Sequence, residues 1–234
     1  MTYVDRSDAG RSLARALDPY KATRPVILAL PRGGVPVAAE VAVALEAPLD
    51  LILVRKIGVP THPELAMGAV VDGSNPVIVR NDDIIRAAGV SESRFQTLCN
   101  RELRKIERRR RLYVGDRASI DVAGRVAIVI DDGIATGATV RAALLALRRR
   151  KPKRSVLAVP VGPLATISAF HGLAGEVVCL EDLEPYGAVG AVYRDFSQVT
   201  DQDVIDRLGR LSSAPSLSIQ REIDPGQSSV SKKA

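Results

Sequence analysis

Residues 126–139 read Val-Ala-Ile-Val-Ile-Asp-Asp-Gly-Ile-Ala-Thr-Gly-Ala-Thr, which sets two adjacent carboxylates between an apolar run and a loop of small and hydroxylated residues. Asp131 and Asp132 can grip the vicinal hydroxyls of a sugar. Gly133, Ile134, Ala135, Thr136, Gly137, Ala138 and Thr139 can close backbone N–H groups around a phosphate. Thr136 and Thr139 add hydroxyl donors, and a helix starting here adds the positive end of its dipole. A carboxylate pair beside a phosphate cradle suits a ribose 5-phosphate. Without the Thr-Gly-Ala-Thr continuation, the same acids would read as a buried strand ending in a solvated turn.

Such a site needs a buried strand behind it and a helix ahead of it. Val126–Ile130 is apolar throughout and strand-length, as in a sheet covered on both faces. In open α/β sheets, ligands sit beyond the carboxyl ends of such strands. Further strands are expected at Val26–Leu30, Leu51–Val54, Ser155–Val159 and Val177–Leu180, with short β-like runs at Val70–Val71 and Val77–Val79. Helices are expected at Ser7–Leu17, Val35–Leu45, Ser91–Tyr113, Val140–Arg150 and Leu164–Leu173. This alternation predicts a doubly wound, mainly parallel α/β sheet. A turn, Pro31-Arg32-Gly33-Gly34, joins the first strand to its helix.

The 126–139 run resembles the 5-phosphoribosyl 1-pyrophosphate (PRPP) signature of the type I phosphoribosyltransferases: apolar residues, two acids, then a loop of the form x-x-x-Thr-Gly-x-Thr/Ser. The resemblance covers Ser7 to Leu180. It implies that Asp131 and Asp132 hold the ribose diol and Mg²⁺, directly or through water, and that residues 133–139 hold the 5-phosphate. Pro31–Gly34 resembles the Ser-Arg-Gly-Gly pyrophosphate loop of xanthine-guanine phosphoribosyltransferases, with Pro31 in place of serine. Arg32, Gly33 and Gly34 would then bind pyrophosphate, and the family's cis peptide would fall at Pro31–Arg32. Family members also place a base at the end of the second strand; this carries onto Lys56 first and Arg55 second.

The resemblance further implies a mobile lid and β-ribbon between Gly58 and Ile85, with Pro60–Glu64 suited to the lid and His62 read as a surface residue. It implies a small hood over the sheet that selects a nitrogenous, nucleobase-like acceptor. Tyr193 and Phe196 are the stacking candidates there, and Glu181, Asp182 or Asp195 could read the acceptor's edge. The expected reaction is displacement of pyrophosphate from PRPP, with Mg²⁺ as cofactor and nucleotide salvage as the setting. Ala135 departs from relatives that carry an aspartate there, which removes the obvious base for the acceptor's proton. The expected organisation is one domain over residues 1–211, with a core of about 22–180 and a hood from 1–20 and 181–211. A disordered tail is expected over 212–234.

Composition bounds these readings. The 234 residues are 46% hydrophobic, yet only 3% aromatic, so the core must be aliphatic. No apolar stretch reaches membrane-spanning length, and the polar start of the chain lacks a signal-peptide pattern. Cys99 and Cys179 have no disulfide or metal spacing, and a reducing cytoplasm suits them. A homo-oligomer is compatible with the fold. The net charge of +6 suits anionic partners. Seven bases and two acids fall within Arg101–Arg111. Apolar residues at Phe95, Leu98, Cys99, Leu103, Ile106 and Leu112 could form one stripe, leaving the bases on a solvated face with pairs such as Glu107–Arg111. The alternative function is a PRPP-sensing regulator that binds nucleic acid through this helix. A third class, a phosphatase using Asp131 as nucleophile, fits the loop poorly.

Overall fold

In the computed structural model, which describes residues 2–73 and 76–212, five parallel strands form the main sheet. They are β1 (Val26–Ala29), β2 (Leu49–Leu51), β6 (Val126–Ile130), β7 (Arg154–Gly162) and β8 (Glu176–Asp182), in the order β2-β1-β6-β7-β8. A second, antiparallel sheet joins β3 (Val54–Val59), β4 (His62–Val71) and β5 (Val77–Arg80). The helices are α1 (Arg6–Leu17), α2 (Gly34–Ala44), α3 (Asp82–Ala87), α4 (Glu92–Val114), α5 (Ala138–Arg149), α6 (Leu164–Ser168) and α7 (Asp201–Ser212).

The two faces of the sheet build two aliphatic cores. Ile27, Ala29, Val126, Ile128 and Ile130 pack with residues of α1, α2, α4 and α7. Val26, Leu28, Ala127 and Val129 pack with α5 and the segment around Phe170. This alternation follows from the two-residue period of a strand. Burial on both sides explains why β1 and β6 are apolar without a break.

Several expectations need correcting. The helix expected over Leu164–Leu173 ends at Ser168, and turns follow through Leu173. Leu51–Val54 is not one strand. The parallel strand ends at Leu51, and the chain re-enters a different sheet at Val54. Two buried acids flank the break: Asp72 Oδ1 accepts from the Leu53 N–H at 2.7 Å, and Asp50 is buried within β2. Arg110 of α4 reaches both, 3.0 Å from Asp50 and 2.9 Å from Asp72. The apolar stripe of α4 also differs at one position. Leu112 is 52% exposed, and Tyr113 takes the buried place instead. Arg110 lies inside rather than on the solvated face, because it is the counter-charge for two buried carboxylates.

Helix α4 starts where Ser91 Oγ accepts from the Arg94 N–H, a cap contributing about 1 kcal/mol. Helix α7 is not among the elements expected from periodicity. Its start carries a readable box, in which Thr200 Oγ1 accepts from the Asp203 N–H and the Asp203 carboxylate accepts from the Thr200 N–H. The tail expected over 212–234 falls outside the described residues, apart from Ser212, which closes α7.

Candidate functional site

The strand order reverses between β1 and β6, since β2 lies to one side of this pair and β7 and β8 to the other. The loops leaving two such strands open a crevice at the carboxyl edge of the sheet. Here those loops are Leu30–Gly33 and Asp131–Gly137. The Leu30 N–H donates to the Ile130 carbonyl at 2.9 Å, which locks the strand tips together.

The loops touch through glycine. A Cβ on Gly33 would lie 2.1 Å from Asp132 Oδ2. One on Gly34 would lie 2.7 Å from the Ile130 carbonyl oxygen. Only residues without a side chain let the 31–34 loop sit against the acidic pair. The Pro31–Arg32 peptide is cis. Helix α2 begins at Gly34 with no side-chain cap, and α5 begins after Gly137, also without one. The α5 N-terminus therefore keeps N–H donors for an anion, whereas at α2 the Gly34 and Val35 N–H groups donate to the Leu30 and Arg32 carbonyls at 3.0 and 3.1 Å and Pro36 has none. Gly137 has φ +72, a left-handed value that favours glycine, and a Cβ there would meet Phe170 at 2.6 Å. Ala135, Thr136, Ala138 and Thr139 are exposed, so the cradle is open to solvent.

Burial, and then the charge of Asp132, push the Asp131 carboxyl well above the usual carboxylate range. Asp132 has a partner that sequence spacing could not reveal. Arg6, at the start of α1, donates from Nε to Asp132 Oδ2 at 2.7 Å. The same guanidinium donates to the Ser197 carbonyl at 2.8 Å and lies 3.8 Å from the Phe196 ring centroid. Arg6 thus ties the chain start, the 195–197 segment and the acidic pair into one cluster.

Tyr193 is 2% exposed, so it offers no open stacking face. Its ring packs on Phe196 at 5.0 Å and on Tyr3 at 5.7 Å, and its hydroxyl donates to the Asp132 carbonyl at 2.5 Å. Burial, and then the Asp132 charge, hold this phenol far above its usual pKa, so it remains a donor. Phe196 is the more accessible ring, and the Arg6 guanidinium lies over it. A cavity of about 180 Å³ opens beside Arg6, lined also by Ser7, Asp195, Gln198 and Arg207.

Of the basic candidates, Arg55, Lys56 and His62 lie outside the crevice loops, and Arg32 lies within one. Arg55 and Lys56 are on β3 of the small sheet, not at the end of a parallel strand. Arg55 pairs with buried Glu102 at 3.1 Å, and Lys56 faces exposed Glu64 at 3.8 Å. Arg32 lies 3.6 Å from Asp201 of α7, which also accepts the Tyr113 hydroxyl at 2.6 Å. His62 is exposed at the β3–β4 hairpin.

Magnesium usually keeps several waters and takes one or two protein carboxylates together with substrate phosphates. Asp131 and Asp132 fit that partial donor set. Among the described residues, no group of three or more His, Cys, Asp or Glu is placed to hold a metal. The pair therefore suits an ion completed by ligand oxygens.

Comparison with known proteins identifies the class. Residues 6–179 match the family model of the phosphoribosyl transferase domain. The chain belongs to this family. It is 45% identical over 208 residues to the Mycobacterium tuberculosis proteins named "Putative phosphoribosyl transferase Rv0571c" and "Putative phosphoribosyl transferase MT0597". That alignment covers 89% of this chain but 46% of each relative, so the chain spans about half their length. The crystal structure of the protein TT1426 from Thermus thermophilus superposes with a TM-score of 0.79 at 40% identity, covering 90% of this chain and 99% of that one. No described helix is long and apolar enough to cross a membrane.

Proposed function

We propose that this chain transfers a 5-phosphoribosyl group from PRPP to a nitrogen of a small acceptor, with release of pyrophosphate. The observation that carries this reading is the contact of the two anion loops across Gly33 and Asp132. It sets the Gly33 loop and the donors of the α5 N-terminus against one carboxylate pair, as holding a sugar phosphorylated at both ends requires.

In this reading, the α5 N-terminus and the hydroxyls of Thr136 and Thr139 hold the 5-phosphate. Asp131 and Asp132 hold the ribose diol. The Gly33 amide and the Arg32 side chain hold the pyrophosphate, while Gly34 keeps that loop against the acidic pair. The acceptor nitrogen donates its lone pair to the anomeric carbon as the bond to the pyrophosphate oxygen breaks. The bonding pair leaves with pyrophosphate, and the acceptor's proton passes to solvent or to that anion. Mg²⁺, when held by Asp131 and Asp132, supplies positive charge against the growing charge of the leaving group.

Arg6 keeps one carboxylate of the pair oriented while the diol binds. The ribbon carrying Lys56 and His62 closes over the ligand and excludes water, which would otherwise trap the cation-like sugar. The cavity beside Arg6 seats the acceptor. Its volume of about 180 Å³ suits a small acceptor. Ala135 leaves the acceptor's proton without a carboxylate at that point in the loop. A cytoplasmic setting suits the two unpaired cysteines.

A screen of nucleobases and small heterocyclic amines tests this. At least one should release pyrophosphate from PRPP in magnesium buffer, well above the acceptor-free rate. A broad panel without release contradicts the transferase reading.

A further inference from the structure

Helix α4 carries most of the basic excess, and the structure sorts its charges onto two sides. Phe95, Leu98, Cys99, Glu102, Ile106 and Tyr113 face inward and are buried. Arg110 also turns inward, to Asp50 and Asp72. The first acid of the run, Glu102, is 3% exposed and surrounded by Arg55, Arg101 and Lys105 within 3.1 Å. Burial raises its pKa, but hydrogen bonds from Lys105 and Arg55 outweigh this and the net shift is downward. Its negative charge is therefore spent inside the protein.

What remains outward is a stripe of Arg94, Arg101, Arg104, Arg108 and Arg111, all exposed. Their spacing of three, four and seven residues keeps them on one face, with the three- and four-residue neighbours about 5–6 Å apart and Arg94 about 10 Å from Arg101. From Arg94 to Arg111 the stripe runs about 25 Å along the axis. Glu107 is the acid that interrupts it, paired with Arg111 at 3.7 Å. A solvated face kept soluble by charge would mix signs. This one is almost wholly cationic.

We propose that the outer face of α4 is a docking surface for the phosphate backbone of double-stranded nucleic acid, separate from the crevice chemistry. Charge complementarity over this length matches a duplex, which carries about one charge per 1.7 Å of axis. No aromatic side chain interrupts the stripe, so unstacked single-stranded bases find no platform. A membrane surface fits less well. A surface-bound helix needs a free apolar face, and the apolar face of α4 is buried in the core, with Leu112 alone exposed beside the arginines. Recognition is then of shape and charge and independent of base sequence.

The test is fluorescence anisotropy with a labelled duplex of about 20 base pairs, long enough to span the stripe, over a range of salt. The unaltered protein should bind at low salt, with log affinity falling against log salt at a slope of about −3 to −5, as expected for about four or five phosphate contacts. Arg104→Gln/Arg108→Gln/Arg111→Gln should weaken binding at least tenfold and flatten the slope by about 2 to 3. A control of equal charge loss, Arg11→Gln/Arg86→Gln/Arg149→Gln, alters exposed arginines on other elements and should keep most of the affinity. Both triple variants should keep the pyrophosphate release of the parent, so this result is independent of the transferase reading. Any of three results overturns the proposal: no duplex binding at low salt, equal loss in both variants, or binding to phosphatidylserine vesicles or polyglutamate as tight as to the duplex.

Discussion

Asp131→Asn combined with Asp132→Asn should abolish pyrophosphate release from PRPP, a loss of about a thousand-fold or more. Removing one preorganised group from a charge-stabilising site costs about 10²- to 10³-fold, and this variant removes two. Asparagine keeps the shape and can still hydrogen-bond a hydroxyl. It cannot act as a charged acceptor for the diol or hold a divalent ion. The fold should survive, because the variant also removes the repulsion that pushes the Asp131 carboxyl upward. Stability does lose the Arg6–Asp132 ion pair. Asp131→Asn alone preserves that pair and separates the two contributions. Release assays with thermal melts of the same samples decide the matter. A folded double variant within tenfold of the parent rate removes the acids from the chemistry.

Arg110→Met should be strongly destabilising. It leaves Asp50 and Asp72, both buried, without their shared guanidinium. Breaking a buried pair by removing one partner costs about 3–5 kcal/mol, a large part of the roughly 5–15 kcal/mol that stabilises a typical domain. Burial already raises the Asp72 pKa in the parent, the largest influence upon it. Without Arg110 the neutral acid is favoured further. An acid with a raised folded pKa penalises the fold once pH climbs past its unfolded pKa, so the variant should recover stability as pH falls from about 7 toward about 4. Urea unfolding at several pH values measures this. Arg108→Met, on the exposed face, should change stability by less than about 0.5 kcal/mol. Equal midpoints for the two variants would show that the buried cluster carries no such weight.

Much of the fold could be read in the residues because local and long-range demands agree. Val126–Ile130 is apolar without a break since it is buried on both faces, and it appears as β6 with unchanged bounds. The parallel sheet follows from the alternation of such runs with helical periods. What could not be read depends on contacts between distant residues. Arg6 meets Asp132 across 126 positions, and no local pattern marks that pairing. Leu51–Val54 looks like a single strand, but it divides between two sheets, beside the acids at 50 and 72 that Arg110 clamps. That split moves Arg55 and Lys56 onto the ribbon. Tyr193 illustrates the limit of composition: a scarce aromatic near the chain end suggests a stacking surface, whereas burial between Tyr3 and Phe196 makes it packing. Tyr113 for Leu112 is a shift of one position, and it reflects where the helix meets Asp201.

Titration calorimetry of PRPP into the protein in magnesium buffer tests the ligand assignment most directly. One saturable site per chain is expected, with its heat lost in Asp131→Asn/Asp132→Asn. The absence of saturable heat in the unaltered, folded protein would contradict the assignment of the β1–β6 crevice to a phosphorylated pentose.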